Sequence, residues 1–381
     1  MEHGRRTFWT ASLLLFALGV ESSGFQISLL QMAKEFNLSG TYSGIMVSVQ
    51  YSAIIIMPFL IGKLADHGDK RKILFRFGII FLLGCICLTN VQTYVILLCS
   101  IFIIGSGYSV CESVISAHLT DIYEEDSGKF LSISQCFFSM GALVGPQVLK
   151  IGKMYLKWDW RYLFLISGFC VFIAVLLIRV SDTKRNVSKK DSKTEKKMGK
   201  ELYFLVFGMF TYGALEVGIG YYINSFLSIE LDAADKSAEI LSLFWLFMIL
   251  GRILGGVLYR WRRKCMIYSY FVAVLLLIGI SVSNQTEIAA GLFGMLGLII
   301  APLWPYYMSI AAENYQENSA TATGMLAAGC GMGAVAVPIL LGKCADLNGL
   351  RMGFFILGIL SVFGMAMCYF YFKMWICIKG E

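Results

Sequence analysis

The sequence has few charged residues and few histidines. Asp, Glu, Lys and Arg make up only 15% of its 381 residues, whereas about 25% is typical of soluble domains. Hydrophobic residues make up 57%, so the chain is predicted to lie in a lipid bilayer. Because there are three histidines and the eleven cysteines are scattered without metal-ligand spacing, no metal or haem site is expected. No catalytic arrangement of side chains is found either, so the sequence predicts no enzyme activity and no cofactor.

Twelve long apolar stretches fill most of the chain. Each is long enough to be a membrane span, since a helix needs about 20 apolar residues to cross roughly 30 Å of hydrocarbon. The stretches are centred near Leu15, Ile55, Phe81, Ile104, Gly141, Ile173, Tyr212, Leu246, Leu275, Leu298, Ala334 and Gly358. We therefore predict an all-α membrane protein of twelve transmembrane helices. Residues 1–180 form an N-terminal six-helix bundle, 181–200 a basic cytoplasmic linker, and 201–381 a C-terminal six-helix bundle.

Positive charge falls mainly on one side of the predicted membrane. Most of the 32 Lys and Arg residues lie on the side that holds both termini and the linker. Because cytoplasmic loops carry an excess of positive charge, the termini and the linker are predicted to be cytoplasmic, in a multi-pass protein of the plasma or bacterial inner membrane. The basic loop from Lys150 to Arg161 is an exception on the opposite side. The positive charge suits contact with anionic lipid rather than with nucleic acid.

The loop between the second and third stretches reads G-K-L-A-D-H-G-D-K-R from residue 62. It resembles the signature loop of the major facilitator superfamily, and this resemblance implies two pseudo-symmetric six-helix bundles. By the same resemblance, Gly62 lets two helices approach closely, and Asp66 pairs with basic groups or a helix N-terminus. Lys70 and Arg71 would anchor the cytoplasmic turn. Asp69 stands where the family has a glycine.

A short motif of the first half recurs in the second half. The segment M-G-A-L-V-G-P at residues 140–146 returns as M-G-A-V-A-V-P at residues 332–338. Transporters built from two repeats hold their substrate near the middle of the membrane, between the repeats. The recurrence therefore favours a duplicated fold that works by alternating access.

Three acidic residues lie inside predicted spans, where an ionisable group costs about 2.5–3.5 kcal/mol. Such groups face the bundle interior or a water-filled cavity, or are paired as structural carboxylates. Glu112 follows G-S-G in the fourth stretch, which resembles the fucose permease-like branch of sugar/proton symporters, and the resemblance implies that Glu112 carries the coupling proton. Glu21 is the second candidate, although the branch has its first-span acid nearer to Gln26. Glu216 resembles the seventh-span acid of the branch and is expected to bind substrate or pair helices.

Further residues are expected to contact substrate or to gate. Gln135 matches a substrate-contacting glutamine of the same branch, whereas Phe138 replaces an asparagine, which favours a less polar ligand or a sugar held at a different angle. Asn224 lies on the same helical face as the seventh-span acid. Trp304 stands between two prolines and is either a stacking platform for a sugar ring or a core aromatic. Arg252, predicted near the cytoplasmic end of its span, is a candidate gating residue.

These features predict a secondary active transporter of a small polar solute. A proton-coupled sugar symporter is the first hypothesis. The alternative is proton-coupled efflux of a lipophilic compound or metabolite, favoured by Phe138 and by the antiporter-like G-x-x-x-G-P at residues 141–146. A transporter-like sensor is a third possibility. The expected partners are a small-molecule substrate, protons and the lipid bilayer, without nucleic acid, and the chain is expected to be a monomer.

Overall fold

A computed structural model describes residues 2–123, 127–180, 199–315 and 319–379. These ranges are almost entirely α-helical and contain no β-strand. Their helices are α1 (Glu2–Glu35), α2 (Gly40–His67), α3 (Lys70–Thr89), α4 (Tyr94–Ile122), α5 (Ser127–Leu156), α6 (Trp160–Val180), α7 (Leu202–Glu230), α8 (Ser237–Val257), α9 (Arg262–Val282), α10 (Thr286–Ile300), α11 (Leu303–Asn314), α12 (Ser319–Leu347) and α13 (Leu350–Lys379). Most of the predicted linker, residues 181–198, lies outside the described residues.

Eleven segments within the described ranges have the length and apolar composition needed to cross a membrane. Helix α5, with 30 residues, is the remaining predicted span. One of the eleven segments, Thr286–Ala311, contains both α10 and α11. Pro302 explains the break between them because it has no N–H to donate. Pro305 is tolerated because it lies in the first turn of α11, where its N–H would have no partner in the helix. The predicted all-α membrane fold is confirmed.

The chain divides into two compact units. The first comprises Met1–Asn37 and Val49–Lys190, and the second comprises Leu38–Ser48 and Asp191–Glu381. Helix α2 is therefore shared, since its first turns group with the second unit and the rest of it groups with the first. The predicted boundaries of the bundles and the linker remain a prediction.

The same pattern of helix packing occurs in both units. In the first unit, α1 packs against α5 and α6, and α3 packs against α4 and α6. In the second unit, α7 packs against α12 and α13, and α9 packs against α10 and α13. The counterparts of α1, α3, α5 and α6 are therefore α7, α9, α12 and α13, in that order. This repetition makes the two units pseudo-symmetric.

Glycines lie where the first and fifth membrane spans of each unit cross. Gly19 of α1 meets α5 near Gly141, and Gly213 of α7 meets α12 near Gly333. A Cβ atom at any of these four glycines would overlap with a backbone carbonyl group of the facing helix. The carbonyl group belongs to Phe138 for Gly19, to Phe16 for Gly141, to Cys330 for Gly213 and to Phe210 for Gly333. Because Gly141 and Gly333 are equivalent positions of the recurring motif, the repeated sequence corresponds to a repeated helix crossing.

The first helix of each unit ends in a glutamate that binds the start of the last helix. Glu35, the last residue of α1, forms an ion pair with Arg161 at the start of α6. Glu230, the last residue of α7, pairs with Arg351 at the start of α13, with 3.2 Å between Oε2 and Nε. Each unit is thus joined at the same end by the same kind of interaction.

Arg161 belongs to the basic loop that was an exception to the charge distribution. Its guanidinium group pairs with Asp159 at 2.5 Å as well as with Glu35, and it lies 4.3 Å from the ring centroid of Trp160. The Trp160 indole Nε1 donates a hydrogen bond of 2.8 Å to the same Glu35 carboxylate. Arg161 therefore joins α1 to α6, and this structural role accounts for an arginine on this side of the protein.

The N-terminus of α2 is capped by a residue of α12. Asp346 accepts hydrogen bonds from the backbone N–H of Gly40 at 2.5 Å and from the N–H and hydroxyl of Thr41 at 2.8 and 2.6 Å. These three residues belong to the second unit. The first N–H groups of a helix have no partner within it, and negative charge is favoured there. Helix α8, which follows α7 as α2 follows α1, begins without a side-chain cap.

Candidate functional site

Glu21 of α1 is buried inside the first unit beside Gln50 of α2. The two residues are 1% and 2% exposed, and the Gln50 Nε2 donates a hydrogen bond of 2.9 Å to the Glu21 Oε1. The second carboxylate oxygen of Glu21, Oε2, is buried and has no hydrogen-bond partner among the described residues. Gly105 of α4 lets the helices come close, since a Cβ atom there would lie 2.7 Å from the Gln50 carbonyl oxygen. Glu21 thus has a neutral amide as its hydrogen-bond partner.

Glu112 of α4 lies in the same unit and is half-buried. The hydroxyl of Ser116, one turn later, donates a hydrogen bond of 2.8 Å to the backbone carbonyl of Glu112. Ser116, which stands where the fucose permease-like branch has an asparagine, is therefore bonded to its own helix. The structure places both predicted proton-coupling residues in one unit, with Glu21 more deeply buried than Glu112.

The second unit contains a group of four side chains that we call the α7–α8–α11 cluster. Its members are Tyr212, Glu216, Arg252 and Trp304. Glu216 and Arg252 form an ion pair with 3.6 Å between Oε1 and Nη2. Tyr212 lies one turn before Glu216 on the same face of α7. The rings of Tyr212 and Trp304 have centroids 6.0 Å apart, within the range of favourable aromatic pairs. An acid, a base and two aromatic rings are thus grouped within three helices.

Small residues on α8 position Arg252 beside the broken tenth span. Gly251 packs against α10, and a Cβ atom at Gly255 would lie 2.7 Å from the ring of Pro302. Arg252 follows the first of these glycines directly, and Trp304 follows Pro302 by two residues. Because α8 approaches the helix break closely, Arg252 on α8 and Trp304 on α11 lie on neighbouring helices.

The acids of the two units occupy equivalent positions, and their partners lie on equivalent helices. Glu21 and Gln50 lie on α1 and α2, whereas Glu216 and Arg252 lie on α7 and α8. Each acid precedes the terminal glutamate of its helix by the same number of residues. The main chemical difference between the pairs is the partner, which is a neutral amide in the first unit and a guanidinium group in the second.

One of the other two predicted substrate residues lies in each unit. Gln135 is half-buried on α5 in the first unit. Asn224 is buried on α7, with the Ser228 hydroxyl donating a hydrogen bond of 3.4 Å to its Oδ1. It follows Glu216 by two helical turns, or about 12 Å along the axis. The structure therefore brings Glu216, Arg252 and Trp304 together and leaves Asn224 nearer the end of its helix.

The signature loop is a tight connection between α2 and α3. Asp69 is the N-cap of α3, and its carboxylate accepts a hydrogen bond of 3.1 Å from the backbone N–H of Arg71. The Arg71 Nε lies 3.5 Å from the same carboxylate, and the Lys70 ammonium donates a hydrogen bond of 3.4 Å to the carbonyl of Ala117 near the end of α4. An aspartate at the family's glycine position is therefore accommodated as a helix cap.

Two predicted residues of this loop are described only by the helix that contains them. Helix α2 runs through Gly62 and Asp66, and nothing further is described at either position. No group of His, Cys, Asp and Glu able to hold a metal ion occurs among the residues that the structure describes.

Sequence reasoning did not identify two members of these sites. Gln50 is an uncharged amide in an otherwise apolar stretch, and Tyr212 precedes Glu216 by one helical turn. A polar amide inside a predicted span, considered as a partner for an acid on a neighbouring helix, would have identified Gln50. Tyr212 would have been identified by its spacing of one helical turn from Glu216.

Comparison with known proteins gives matches along most of the chain. The sequence model of the family described as Major Facilitator Superfamily matches residues 10–294 and 237–374. The chain is 24% identical over 373 residues to the glucose/galactose transporter of Brucella abortus, covering 90% of this chain and 88% of that protein. It is 25% identical over 308 residues to the glucose/mannose transporter GlcP of Bacillus subtilis, covering 76% and 75%.

Solved structures with the same fold include two transporters. A bacterial homolog of the human lysosomal transporter Spinster, inward-facing and occupied, has a TM-score of 0.79 at 13% identity, covering 96% of both chains. A variant of the nucleoside transporter NupG has a TM-score of 0.79 at 15% identity, covering 97% of this chain and 99% of that chain. At these identities the likeness concerns the fold alone.

Proposed function

Because the chain belongs to the Major Facilitator Superfamily, a family of membrane transporters and not of enzymes, we propose that it carries a neutral sugar by proton-coupled symport. The α7–α8–α11 cluster is the observation that supports this proposal most directly. The two relatives named as glucose/galactose and glucose/mannose transporters support a hexose as the substrate.

The chemistry of the cluster suits a sugar. A pyranose ring has an apolar C–H face and a rim of hydroxyl groups. Trp304 is 36% exposed, so its indole is available to the apolar face, while Glu216 and Arg252 offer an acceptor and donors to hydroxyl groups. Ligand sites typically combine such apolar walls with a few placed polar groups. Gln135 and Asn224 are proposed as further hydrogen-bonding residues.

We propose Glu112 as the proton-carrying residue, with Glu21 as the alternative. Glu112 is half-buried, so it can exchange a proton with water and still contribute to the interior of the unit. Glu21 has Gln50 as its partner, and a carboxyl group beside a neutral amide can gain or lose a proton without breaking an ion pair. The membrane potential contributes about 2.3 kcal/mol per charge per 100 mV, which corresponds to roughly fifty-fold accumulation if one proton accompanies each neutral sugar.

We further propose a monomer in the plasma or bacterial inner membrane with both termini in the cytoplasm. In this orientation the turn that contains Lys70 and Arg71 lies at the cytoplasmic face together with Gly62 and Asp66, where we propose that it controls closure. The distribution of Lys and Arg supports the orientation. We propose Arg252 first as a substrate residue, with gating as its alternative role.

Uptake of labelled hexoses into proteoliposomes tests the transport proposal. D-glucose, D-galactose and D-mannose are supplied with and without an inward proton gradient. We expect saturable uptake of at least one hexose, with accumulation that requires the gradient and disappears with a protonophore. Trp304→Ala is expected to weaken this uptake, whereas Trp9→Ala, at a position that is 53% exposed on α1, serves as the matched control. Absence of specific hexose uptake, or outward drug transport instead, would contradict the proposal.

Accessibility of single cysteines tests the orientation. Because the chain has eleven cysteines, the reporters are introduced into a cysteine-free background. A cysteine at Ser188, which lies outside the described residues, is expected to react only from the cytoplasm, and one at Asn37 only from outside. The reverse pattern contradicts the orientation. Light scattering of the purified protein measures whether it is a monomer.

A further inference from the structure

The charges of the α7–α8–α11 cluster compensate each other without a hydrogen bond between them. The Glu216 Oε1 and the Arg252 Nη2 are 3.6 Å apart, which is longer than the roughly 2.7–3.2 Å of an N–H···O hydrogen bond. The attraction between them is therefore mainly between charges. As a pair, the two side chains present no net charge to a ligand.

Both charged groups remain accessible within their unit. The side chains of Arg252 and Glu216 are 19% and 22% exposed. The corresponding acid of the first unit, Glu21, and its partner Gln50 are almost completely buried. The second pair is therefore accessible to a ligand in a way that the first is not, and the exposed indole of Trp304 belongs to the same group.

We propose that Glu216 and Arg252 are specificity-determining residues that select uncharged sugars over acidic and amino sugars. This inference rests on the proposed sugar transport. A hydroxyl group both donates and accepts hydrogen bonds, so an uncharged sugar satisfies the carboxylate and the guanidinium together. The attraction of an acidic sugar's carboxylate to Arg252 is offset by repulsion from Glu216, and the attraction of an amino sugar's ammonium group to Glu216 is offset by repulsion from Arg252.

Removal of one partner changes the preference in a predictable direction. In Glu216→Gln the negative charge beside Arg252 is lost, and guanidinium groups bind carboxylates strongly. This variant therefore favours an acidic sugar. In Arg252→Gln the charge of Glu216 is no longer compensated, so this variant favours an amino sugar. A pair that only supports the fold would instead lower the affinity for every sugar alike.

The experiment measures equilibrium binding of D-glucose, D-glucuronate and D-glucosamine to the full-length protein in lipid nanodiscs. These ligands share a ring and differ at one charged substituent, and the pH is chosen so that the acid is ionised and the amine protonated. We expect the wild-type protein to bind glucose in preference to both charged sugars. The preference is expected to shift on the order of tenfold or more towards glucuronate in Glu216→Gln, and by a similar factor towards glucosamine in Arg252→Gln.

Another Glu–Arg pair of the same unit provides the control. Glu313 of α11 pairs with Arg262 of α9 and is exposed. Glu313→Gln removes the same charge through the same chemical change, and it is expected to leave both binding ratios unchanged. The double variant Glu216→Arg with Arg252→Glu keeps the pair neutral and is expected to prefer glucose, as the wild-type protein does. Gel filtration and thermal unfolding verify that each variant is folded.

The outcomes separate the inference from the proposal on which it rests. If the wild-type protein binds glucose and both single variants keep its binding ratios, the pair only supports the fold and the inference is wrong, while sugar transport stands. If the wild-type protein binds none of the three sugars, the inference fails, and the transport proposal fails with it only if uptake of every hexose is also absent. If a single variant does not fold, the exchanged double variant decides, because a folded protein that no longer prefers glucose contradicts the inference.

Discussion

The two units hold an acid at the same place in the same fold but give it different partners. Glu21 is buried against the neutral amide of Gln50. Glu216 is partly exposed and lies beside the guanidinium group of Arg252. A single change of partner therefore alters what the acid can do, because an amide allows the acid to change its protonation without loss of an ion pair, whereas an arginine supplies a compensating charge. This difference supports the proposal that the first unit handles protons and that the second unit supplies most of the substrate contacts.

The largest expected effect is the loss of proton coupling in the first unit. Glu112→Gln keeps the shape of the side chain but cannot release a proton. We expect it to abolish the roughly fifty-fold accumulation that about 100 mV can support, while exchange of internal for external sugar continues. Glu216→Gln is expected to weaken glucose binding itself. Uphill uptake and counterflow, measured in the same proteoliposomes, distinguish the two variants.

The alternative proton site is examined with Glu21→Gln. If accumulation persists in Glu112→Gln and is lost in Glu21→Gln, the proton-carrying residue is Glu21. If both variants accumulate sugar as the wild-type protein does, the first unit does not carry the coupling proton. The difference between the acids of the two units would then not explain proton coupling.

The second prediction concerns the helix crossing that both units share. Gly141→Leu and Gly333→Leu each force a side chain against a backbone carbonyl group, and overpacking of this kind costs about 1–3 kcal/mol. We expect both variants to lower the melting temperature by similar amounts. Gly291→Leu is the control because a Cβ atom there has nothing within 4 Å. Unequal effects of the two substitutions would show that the units differ in stability in spite of their common packing.

The third prediction concerns a helix end at which the units differ. Asp346→Ala removes the cap of α2, and loss of such a cap typically costs about 0.5–2 kcal/mol. Asp235→Ala removes an exposed acid just before α8, a helix that begins without a side-chain cap. Thermal unfolding of the two variants is expected to show destabilisation only for Asp346→Ala. Equal stability of both variants would contradict the importance of the cap.

The smallest expected effects come from the terminal ion pairs. Glu35→Gln and Glu230→Gln each weaken the connection between the first and last helices of one unit. Partly exposed pairs contribute only about 0.2–1 kcal/mol, and salt screens them. We expect small decreases in melting temperature that become smaller at high salt. An effect of Glu35→Gln that does not depend on salt would show that the charge is not the source of the stabilisation.

The arrangement of spans was predictable from the sequence, because apolar length determines which segments can cross a bilayer. The repeated motif identified equivalent glycines, Gly141 and Gly333, and a proline, Pro302, stands at the break in the tenth span. These features depend on residues that are neighbours in sequence. Local patterns were therefore sufficient to predict them.

The partners of the acids were harder to predict because they depend on how helices rotate against each other. Periodicity assigned Asn224 to the face of Glu216, yet two helical turns separate them. Arg252 was considered for its place along the membrane, whereas its contact with Glu216 depends on the rotation of α8 against α7. Gln50 had no local signal that linked it to Glu21. Which side chains meet across a helix pair requires the three-dimensional arrangement.

The cap on α2 has a consequence for how the protein is made. Asp346 lies 306 residues after Gly40 in the sequence. During synthesis, α2 emerges from the ribosome long before its cap exists, so the N–H groups of Gly40 and Thr41 must be satisfied by water or by the insertion machinery. The cap forms only when α12 has been made. Correct folding of the second helix is therefore completed only after α12 of the second unit has been synthesised.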